Sequence, residues 1–158
     1  MEDVAALYRR YAPRLGRYFL AMTGDAARAE DLTQETFLRA LRGIGGFRGE
    51  SSPYTWLYAI AARVLQESIR RERRRSPLPS PAGETPEERV LARDRAARLY
   101  RALEGLEERA RQVVVLRTWS ELSFARIGVE LGIREATARV IYHRAKLALA
   151  KALEEGER

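Results

Sequence analysis

Residues 122–153 read LSFARIGVELGIREATARVIYHRAKLALAKAL, and this stretch predicts how the second half of the chain folds. Ser123 is the predicted N-cap of a short helix, because its hydroxyl can accept a hydrogen bond from a first-turn N–H group. Gly132 is predicted to end that helix, since glycine adopts the positive φ of a helix C-terminus without strain. A second, longer helix begins near Arg134, and Gly128 leaves room for it to cross close by. Two helices joined by a tight glycine turn are typical of a helix-turn-helix.

The second helix of this pair is amphipathic. Helical spacing predicts burial of Ala138, Tyr142, Ala145 and Leu149. The outward face carries four side chains that can bear positive charge, which are Arg139, His143, Arg144 and Lys146. Such a face suits phosphates and guanine edges in the DNA major groove. The alternative is an αα-hairpin in a helical bundle with a solvated basic face, and the spacing favours DNA binding over it.

The composition of the chain excludes several classes of protein. The net charge is +7, and all but two of the 29 Lys and Arg residues are arginine, which suits phosphate contacts. The absence of cysteine excludes disulfides and thiolate metal sites. His143 has no second histidine or cysteine nearby, and no glycine loop has the residues of a phosphate-binding loop. We therefore expect no enzyme, no metal and no cofactor. The lack of a long apolar run predicts a cytoplasmic protein without a signal peptide or membrane insertion.

An earlier segment, Ala26–Leu41, is also predicted to be an amphipathic helix, with Asp25 as its N-cap. At about 100° per residue, the arc predicted to be buried carries Ala29, Leu32, Thr36, Phe37, Ala40 and Leu41. The opposite arc is polar and mostly acidic, with Asp31, Gln34, Glu35, Leu38 and Arg42. A leucine within such a patch is either an exposed residue of no consequence or the anchor of a docking surface, and this pattern alone leaves both open.

A glycine-rich loop separates this helix from the next. Ser52 and the proline after it predict the start of a helix that continues to about residue 74. That helix opens with the aromatic residues Tyr54 and Trp56 and carries Arg63 and Arg70 on its far face. Aromatic rings beside arginines suit single-stranded nucleic acid, because bases stack on rings while guanidinium groups hold phosphates. The alternative is that these aromatic residues belong to the core.

Residues 76–82 read SPLPSPA, and three prolines in so short a run predict a linker. The sequence therefore predicts two domains, at residues 1–75 and 86–158, joined by a linker at residues 76–85. Thr85, followed by proline and two glutamates, predicts the start of the next helix. The apolar residues of that helix that are available for burial are Val90, Leu91, Ala97 and Leu99.

Three motifs in this order resemble the extracytoplasmic-function group of bacterial sigma factors, and the resemblance covers nearly the whole chain. Residues 29–40, AEDLTQETFLRA, are similar to the polymerase-binding helix of that group. Residues 47–51, FRGES, and 55–61, TWLYAIA, are similar to its loop and helix for the melted minus-ten element. Residues 106–117, together with the helix-turn-helix, are similar to its minus-thirty-five-binding domain.

The resemblance implies an all-α protein of two small helical domains joined by a Pro-rich linker, the second containing the helix-turn-helix. It implies a sigma factor that binds core RNA polymerase, recognises two promoter elements and helps to melt DNA. The implied partners are the coiled coil of the largest polymerase clamp subunit, double-stranded promoter DNA, the melted non-template strand and an anti-sigma protein.

The same resemblance assigns roles to residues by position. Polymerase binding is expected of Asp31, Gln34, Glu35 and Leu38. Minus-ten DNA binding is expected of Arg48, Ser51, Ser52, Tyr54, Trp56, Arg63 and Arg70. Minus-thirty-five DNA binding is expected of Arg134, Thr137, Arg139, Val140, His143, Arg144 and Lys146.

The recognition helix departs from the pattern of the group at one pair of residues. Val140 and Ile141 replace a polar pair, which indicates either a different promoter preference or a helix that packs partly against protein. Two other readings remain, a stand-alone helix-turn-helix regulator and a structural helical adaptor. The regulator leaves the acidic face and the FRGES loop without a role, and the adaptor predicts no salt-sensitive DNA binding.

Overall fold

The computed structural model of the chain describes residues 3–47, 49, 52–72 and 83–156. Within these ranges the chain is all-α, as predicted, with seven α-helices and one 3₁₀ helix at Ile44–Gly46. In chain order the α-helices are α1 (Val4–Thr23), α2 (Ala26–Gly43), α3 (Pro53–Glu72), α4 (Pro86–Glu104), α5 (Glu108–Thr118), α6 (Phe124–Leu131) and α7 (Glu135–Gly156). Among the described residues, no helix combines the length and the apolar character needed to span a bilayer.

The chain divides into two compact units, Met1–Arg95 and Ala96–Arg158, with the boundary inside α4. Residues 73–82, which hold most of the predicted linker, lie outside the described ranges. The predicted division into domains at 1–75 and 86–158 therefore stays a prediction. The first ten residues of α4 belong to the first unit.

Local hydrogen bonds explain where most helices begin. Asp25 caps α2 by accepting a bond from the Arg28 N–H group, and Ser123 caps α6 by accepting one from the Arg126 N–H group. At the start of α4, the Thr85 hydroxyl accepts from the Glu88 N–H group while the Glu88 carboxylate accepts from that of Thr85. This reciprocal pair is a capping box, and it satisfies two N–H groups that a helix start leaves unpaired.

In the first unit, α1, α2 and α3 pack around a core rich in aromatic residues. Its fully buried members include Leu15, Phe19, Tyr54, Leu57 and Val64. Two ion pairs join α2 to α3 at the edge of this core, with Arg28 contacting Glu72 at 2.6 Å and Arg39 contacting Glu67 at 2.5 Å. These ion pairs fix the orientation of α2 relative to α3, and with it the face of α2 that points away from the core.

The first half of α4 packs against the turn between α1 and α2. Gly24 ends α1 in the left-handed conformation, with φ +66°, and its N–H group donates to the Leu20 carbonyl oxygen at 2.8 Å. The backbone of Ala92 passes so close to Gly24 that a Cβ atom there would lie 2.3 Å from the Ala92 oxygen. Arg93 beside it contacts the buried Asp25 carboxylate at 3.3 Å. Asp25 therefore both caps α2 and holds α4.

In the second unit, α5, α6 and α7 pack around Val113, Val115, Ile127, Ala138 and Ala145. Gly132 ends α6 with φ +68°, as the sequence predicts. The Ile133 N–H group donates to the Gly128 carbonyl oxygen at 2.9 Å, which closes the turn into α7. A Cβ atom at Gly128 would lie 2.6 Å from the Ile133 oxygen, so the chain passes close to this glycine as expected. The helix-turn-helix therefore forms where it was predicted.

Three residues predicted to be available for burial are instead more than half exposed, and they are Leu41, Val90 and Leu91. Leu41 lies at the margin of the buried arc of α2, close to the point where the chain leaves as a 3₁₀ helix. On α4, the close contacts with Gly24 and Asp25 are made by Ala92 and Arg93 rather than by the two residues before them. The prediction of burial was wrong at these positions because it took into account only the spacing within one helix.

Candidate protein-binding and nucleic-acid-binding surfaces

One surface of α2 combines acidic residues with an unburied leucine. Asp31, Gln34 and Leu38 are exposed and Glu35 is half-buried, and we call these four residues the α2 docking face. Leu38 is 50% exposed, which confirms that the leucine points away from the core. Leu32, Thr36 and Ala40 on the opposite side are buried. Substitution of the exposed residues of the docking face should therefore leave the packing on the buried side of α2 intact.

The Glu35 carboxylate of this face is held in place by Arg39. The Arg39 Nε donates to Glu35 at 3.0 Å, while its two terminal nitrogens donate to both carboxylate oxygens of Glu67 on α3. These hydrogen bonds lower the pKa of the Glu67 carboxyl below its usual value and raise the pKa of Arg39. Arg39 was not singled out from the sequence, although its spacing of four from Glu35 is a signal for such a pair.

The start of α3 carries a second candidate surface. The Ser52 hydroxyl accepts from the Thr55 N–H group at 3.2 Å, which confirms the predicted N-cap. The half-buried Trp56 ring lies against the Phe47 ring, with centroids 4.8 Å apart, so Phe47 fixes the position of Trp56. Arg63 and Arg70 are exposed further along the helix. The predicted site residues Arg48 and Ser51 lie outside the described residues.

Tyr54 differs from the other residues predicted to contact minus-ten DNA. It is 2% exposed, and its ring packs against Tyr11 at a centroid distance of 5.9 Å. Burial raises the pKa of its hydroxyl well above the usual value. With its side chain enclosed in this way, Tyr54 belongs to the core and presents no surface to a DNA strand. The alternative noted from the sequence, that the aromatic residues are core, describes this position correctly.

Replacing Tyr54 with phenylalanine is expected to leave the melting temperature unchanged or to raise it. The Tyr54 hydroxyl has no hydrogen-bond partner among the described residues, so removing it relieves the cost of a desolvated polar group without opening a large cavity. The gain is about 1 kcal/mol at most. Thermal unfolding of the full chain checks this, and a marked loss of stability would show that the hydroxyl makes a necessary bond.

The exposed part of α7 divides into two rows of residues. Thr137, Val140 and Arg144 follow one another at intervals of three and four, so they share one row on the outward side. Arg139 and Lys146, seven residues apart, form the second row on the side toward α6. His143 is exposed between the two rows, and Arg134 is exposed just before the helix. All seven residues predicted for minus-thirty-five binding are therefore exposed.

Aromatic rings lie beneath the second row. The Arg139 guanidinium carbon lies 4.9 Å from the centre of the Phe124 ring, and the Lys146 nitrogen lies 5.5 Å from that of Tyr142. The two rings contact each other edge to face at 5.4 Å. Arg117, at the end of α5, lies over the same Phe124 ring at 4.4 Å. The contact of Lys146 with Tyr142 lies within α7 at a spacing of four residues, which sequence spacing can indicate. The contacts of Phe124 with Arg117, Arg139 and Tyr142 join different helices, so spacing within α7 contained no signal for them.

Comparisons with known proteins identify the family. Residues 7–75 match the family described as Sigma-70 region 2, and residues 96–149 match Sigma-70, region 4. The chain is 31% identical over 158 residues to the RNA polymerase sigma factor YlaC of Bacillus subtilis, with 95% of this chain and 91% of that protein covered. It belongs to the sigma factors of bacterial RNA polymerase. A second relative, the ECF RNA polymerase sigma factor SigL of Mycobacterium tuberculosis, is 36% identical over 157 residues, with 95% and 88% covered.

The fold of this sigma factor is also found among solved structures. The sigma factor RpoE of Bartonella quintana, in its complex with the anti-sigma factor NepR, superimposes with a TM-score of 0.54 at 20% identity. The match covers 98% of both chains. The region 2 match spans most of α1 and all of α2 and α3, and the region 4 match spans the second half of α4 through most of α7. The protein is thus an extracytoplasmic-function sigma factor, which directs promoter-specific initiation by RNA polymerase.

Sigma factors are initiation factors and not a class of enzymes. Among the described residues, no group of His, Cys, Asp or Glu side chains could hold a metal ion. The candidate surfaces lie on three helices, with α2 presenting acidic residues and α3 and α7 presenting arginines.

Proposed function

We propose that this sigma factor binds core RNA polymerase through the α2 docking face. The observation that carries the proposal is Leu38, which stays half exposed in the middle of acidic and polar neighbours on a helix whose other side is buried. Charge on such a face steers a basic partner, and an apolar anchor contributes affinity when it loses contact with water. By the resemblance of residues 29–40, the partner is the coiled coil of the largest clamp subunit.

We propose that the start of α3 binds the melted non-template strand of the minus-ten element. Exposed Arg63 and Arg70 suit backbone phosphates, and Trp56 offers a half-buried aromatic side chain at the start of the same helix. Arg48 and Ser51 complete this set by resemblance. Capturing unstacked bases offsets the few kcal/mol that each unstacked step costs, so melting needs no nucleotide hydrolysis. Tyr54 is left out of the set because it is buried.

We propose that α7 binds the minus-thirty-five element in the major groove. The outward row places Thr137, Val140 and Arg144 where an inserted helix meets base edges, while the second row adds Arg139 and Lys146. His143 lies between the two rows and Arg134 just before the helix, and both are exposed and can approach phosphates. Val140 presents a half-exposed apolar side chain, which suits a thymine methyl group better than a hydrogen-bonding base edge.

An anti-sigma protein is a further proposed partner. The RpoE structure that shares this fold is a complex with such a protein, and the resemblance of the motifs points the same way. The proposed site of action is the cytoplasm, where promoters and polymerase are found. The proposed role requires no catalytic group of the protein itself.

Leu38→Ala is expected to weaken binding to core polymerase by about 1–2 kcal/mol, roughly tenfold, because the anchor loses most of its apolar area. Asp31→Arg is expected to weaken it at least as much by reversing a charge on the same face. Neither change should lower the melting temperature of the free protein by more than a few degrees, since both residues are exposed. The measurement pairs affinity for core polymerase with thermal unfolding of the free chain.

A matched control is Leu20→Ala, because Leu20 is 46% exposed on α1 and lies outside the docking face. It removes the same atoms from a surface of similar exposure, and polymerase affinity should stay at the parent value. If Leu38→Ala unfolds the protein while its folded fraction binds polymerase normally, the docking assignment fails. Equal losses of affinity for the Leu20 and Leu38 variants would also contradict it.

A further inference from the structure

We propose that Phe124 is a positioning residue that orients Arg139 for reading one base pair of the upstream promoter element. This inference rests on the proposed function of α7. Phe124 is buried at the first position of α6 and does not itself face the DNA-binding side. Its role would be to present one face of its ring to the guanidinium group of Arg139, 4.9 Å away.

Two contacts restrict the Arg139 side chain. The Phe124 ring lies under the guanidinium group, and the Glu135 carboxylate one turn earlier accepts a hydrogen bond from its Nη2 at 2.9 Å. A planar guanidinium held against an aromatic ring and by one carboxylate has lost much of its rotational freedom before DNA arrives. Less entropy is then lost when the remaining N–H groups form a two-pronged contact with a guanine edge.

Two further side chains, Tyr142 and Arg117, contact the ring itself. Tyr142 of α7 packs against it edge to face at 5.4 Å, and Arg117 of α5 lies over it at 4.4 Å. Arg117 in turn donates to the Leu122 carbonyl oxygen at 3.0 Å, which ties the segment before α6 to the same cluster. Phe124 therefore has a fixed position relative to α7, as a positioning residue requires. Arg144 lies in the outward row, and it makes no contact of this kind with a ring of the described residues.

The consequence concerns discrimination between bases rather than total affinity. Arg139 can still reach phosphates when it is free to rotate, so loss of the ring should spare much of the electrostatic attraction. Loss of orientation should instead reduce the preference for the correct base at the one position that Arg139 reads. A purely structural role for Phe124 predicts something different, namely an equal loss of binding to every sequence.

The experiment uses the full chain assembled with core polymerase and a double-stranded DNA library in which the upstream element is randomised. Parent, Arg139→Ala and Arg144→Ala holoenzymes are first used to select bound sequences, which shows the base pair that each arginine reads. Phe124→Leu, which keeps an apolar side chain but removes the ring face, is then tested in the same selection. We expect it to lower the preference at the Arg139 base pair by about three- to tenfold and to leave the Arg144 base pair unchanged.

Glu135→Gln supplies a second variant, which keeps the core intact if Phe124→Leu fails to fold. It should lower the preference at the same base pair by about two- to threefold, because it weakens the second contact of the guanidinium. A sequence preference equal to the parent's in the folded variants, or an equal loss at all positions, overturns the inference. If Arg139→Ala alters the preference at no base pair while Arg144→Ala alters it at one, the positioning role of Phe124 fails and the proposed DNA binding by α7 stands. If neither arginine variant changes the selection, the proposed function of α7 fails as well.

Discussion

Gly24→Ala is expected to destabilise the first unit by about 2–4 kcal/mol, which is the largest effect of a single methyl group that we anticipate in this protein. Two costs add at this position. The backbone has φ +66°, where an L-residue with a Cβ atom is strained by about 1–2 kcal/mol. The new Cβ atom would also lie 2.3 Å from the Ala92 oxygen and 2.5 Å from its carbonyl carbon, so the first half of α4 must move away.

Gly132→Ala is the matched control for this change. Gly132 has almost the same backbone conformation, with φ +68°, but no atom lies within 4 Å of a Cβ atom built there. Its alanine variant should therefore show only the backbone cost of about 1–2 kcal/mol. Thermal and denaturant unfolding of both variants measure the difference, and limited proteolysis within residues 86–95 reports whether α4 has separated. Equal losses of stability would mean that the contact between Gly24 and α4 contributes nothing.

Gly128→Ala is expected to destabilise the second unit by about 1–3 kcal/mol and to weaken binding to the upstream element. Gly128 lies within α6, where alanine would normally be favoured over glycine by about 0.5–1 kcal/mol. Here the Cβ atom would meet the Ile133 oxygen at 2.6 Å and the Glu135 nitrogen at 3.3 Å, and both are backbone atoms that cannot rotate away. The turn into α7 must open, which changes how α7, the proposed recognition helix, is presented to DNA.

The control for this second change is Gly16→Ala, in the middle of α1. The nearest atom to a Cβ at Gly16 is the Thr33 hydroxyl oxygen at 3.9 Å, an ordinary contact, so the helical preference should prevail. This variant should be about as stable as the parent or more stable by about 0.5–1 kcal/mol. Unfolding of both variants and DNA binding by their holoenzymes make the comparison. If Gly128→Ala stabilises the protein as Gly16→Ala does, the turn between α6 and α7 accommodates a methyl group and the prediction is wrong.

Gly24 and Gly128 each lie where another backbone segment of the same unit passes too close to allow a Cβ atom. The Gly24 contact joins the first half of α4 to the turn before α2, whereas the Gly128 contact lies at the turn between α6 and α7. The first should therefore affect stability without changing base preference. The second should affect DNA binding in proportion to the disturbance of the turn.

Short-range sequence patterns were enough to predict where several helices begin or end and which of their faces are exposed. Asp25, Ser123 and Gly132 could be assigned as helix caps because each acts on backbone groups within a few residues of itself. The exposure of Leu38 followed from the period of 3.6 residues, since it lies opposite the centre of the buried arc of α2. The same reasoning located the helix-turn-helix and its exposed arginines.

Only the tertiary structure decided whether residues at the edge of a predicted buried face are buried, and which residues of different helices meet. Tyr54 became core while Leu41 became exposed, although a helical period places both near the boundary of a buried face. Asp25 and Arg93 are 68 residues apart, and their contact joins the first half of α4 to the start of α2. Likewise, Arg139 meets Phe124 only because α6 and α7 cross at a particular distance. Such outcomes depend on the packing angle between helices, which is set by the combined shape of many side chains rather than by the spacing of residues in one of them.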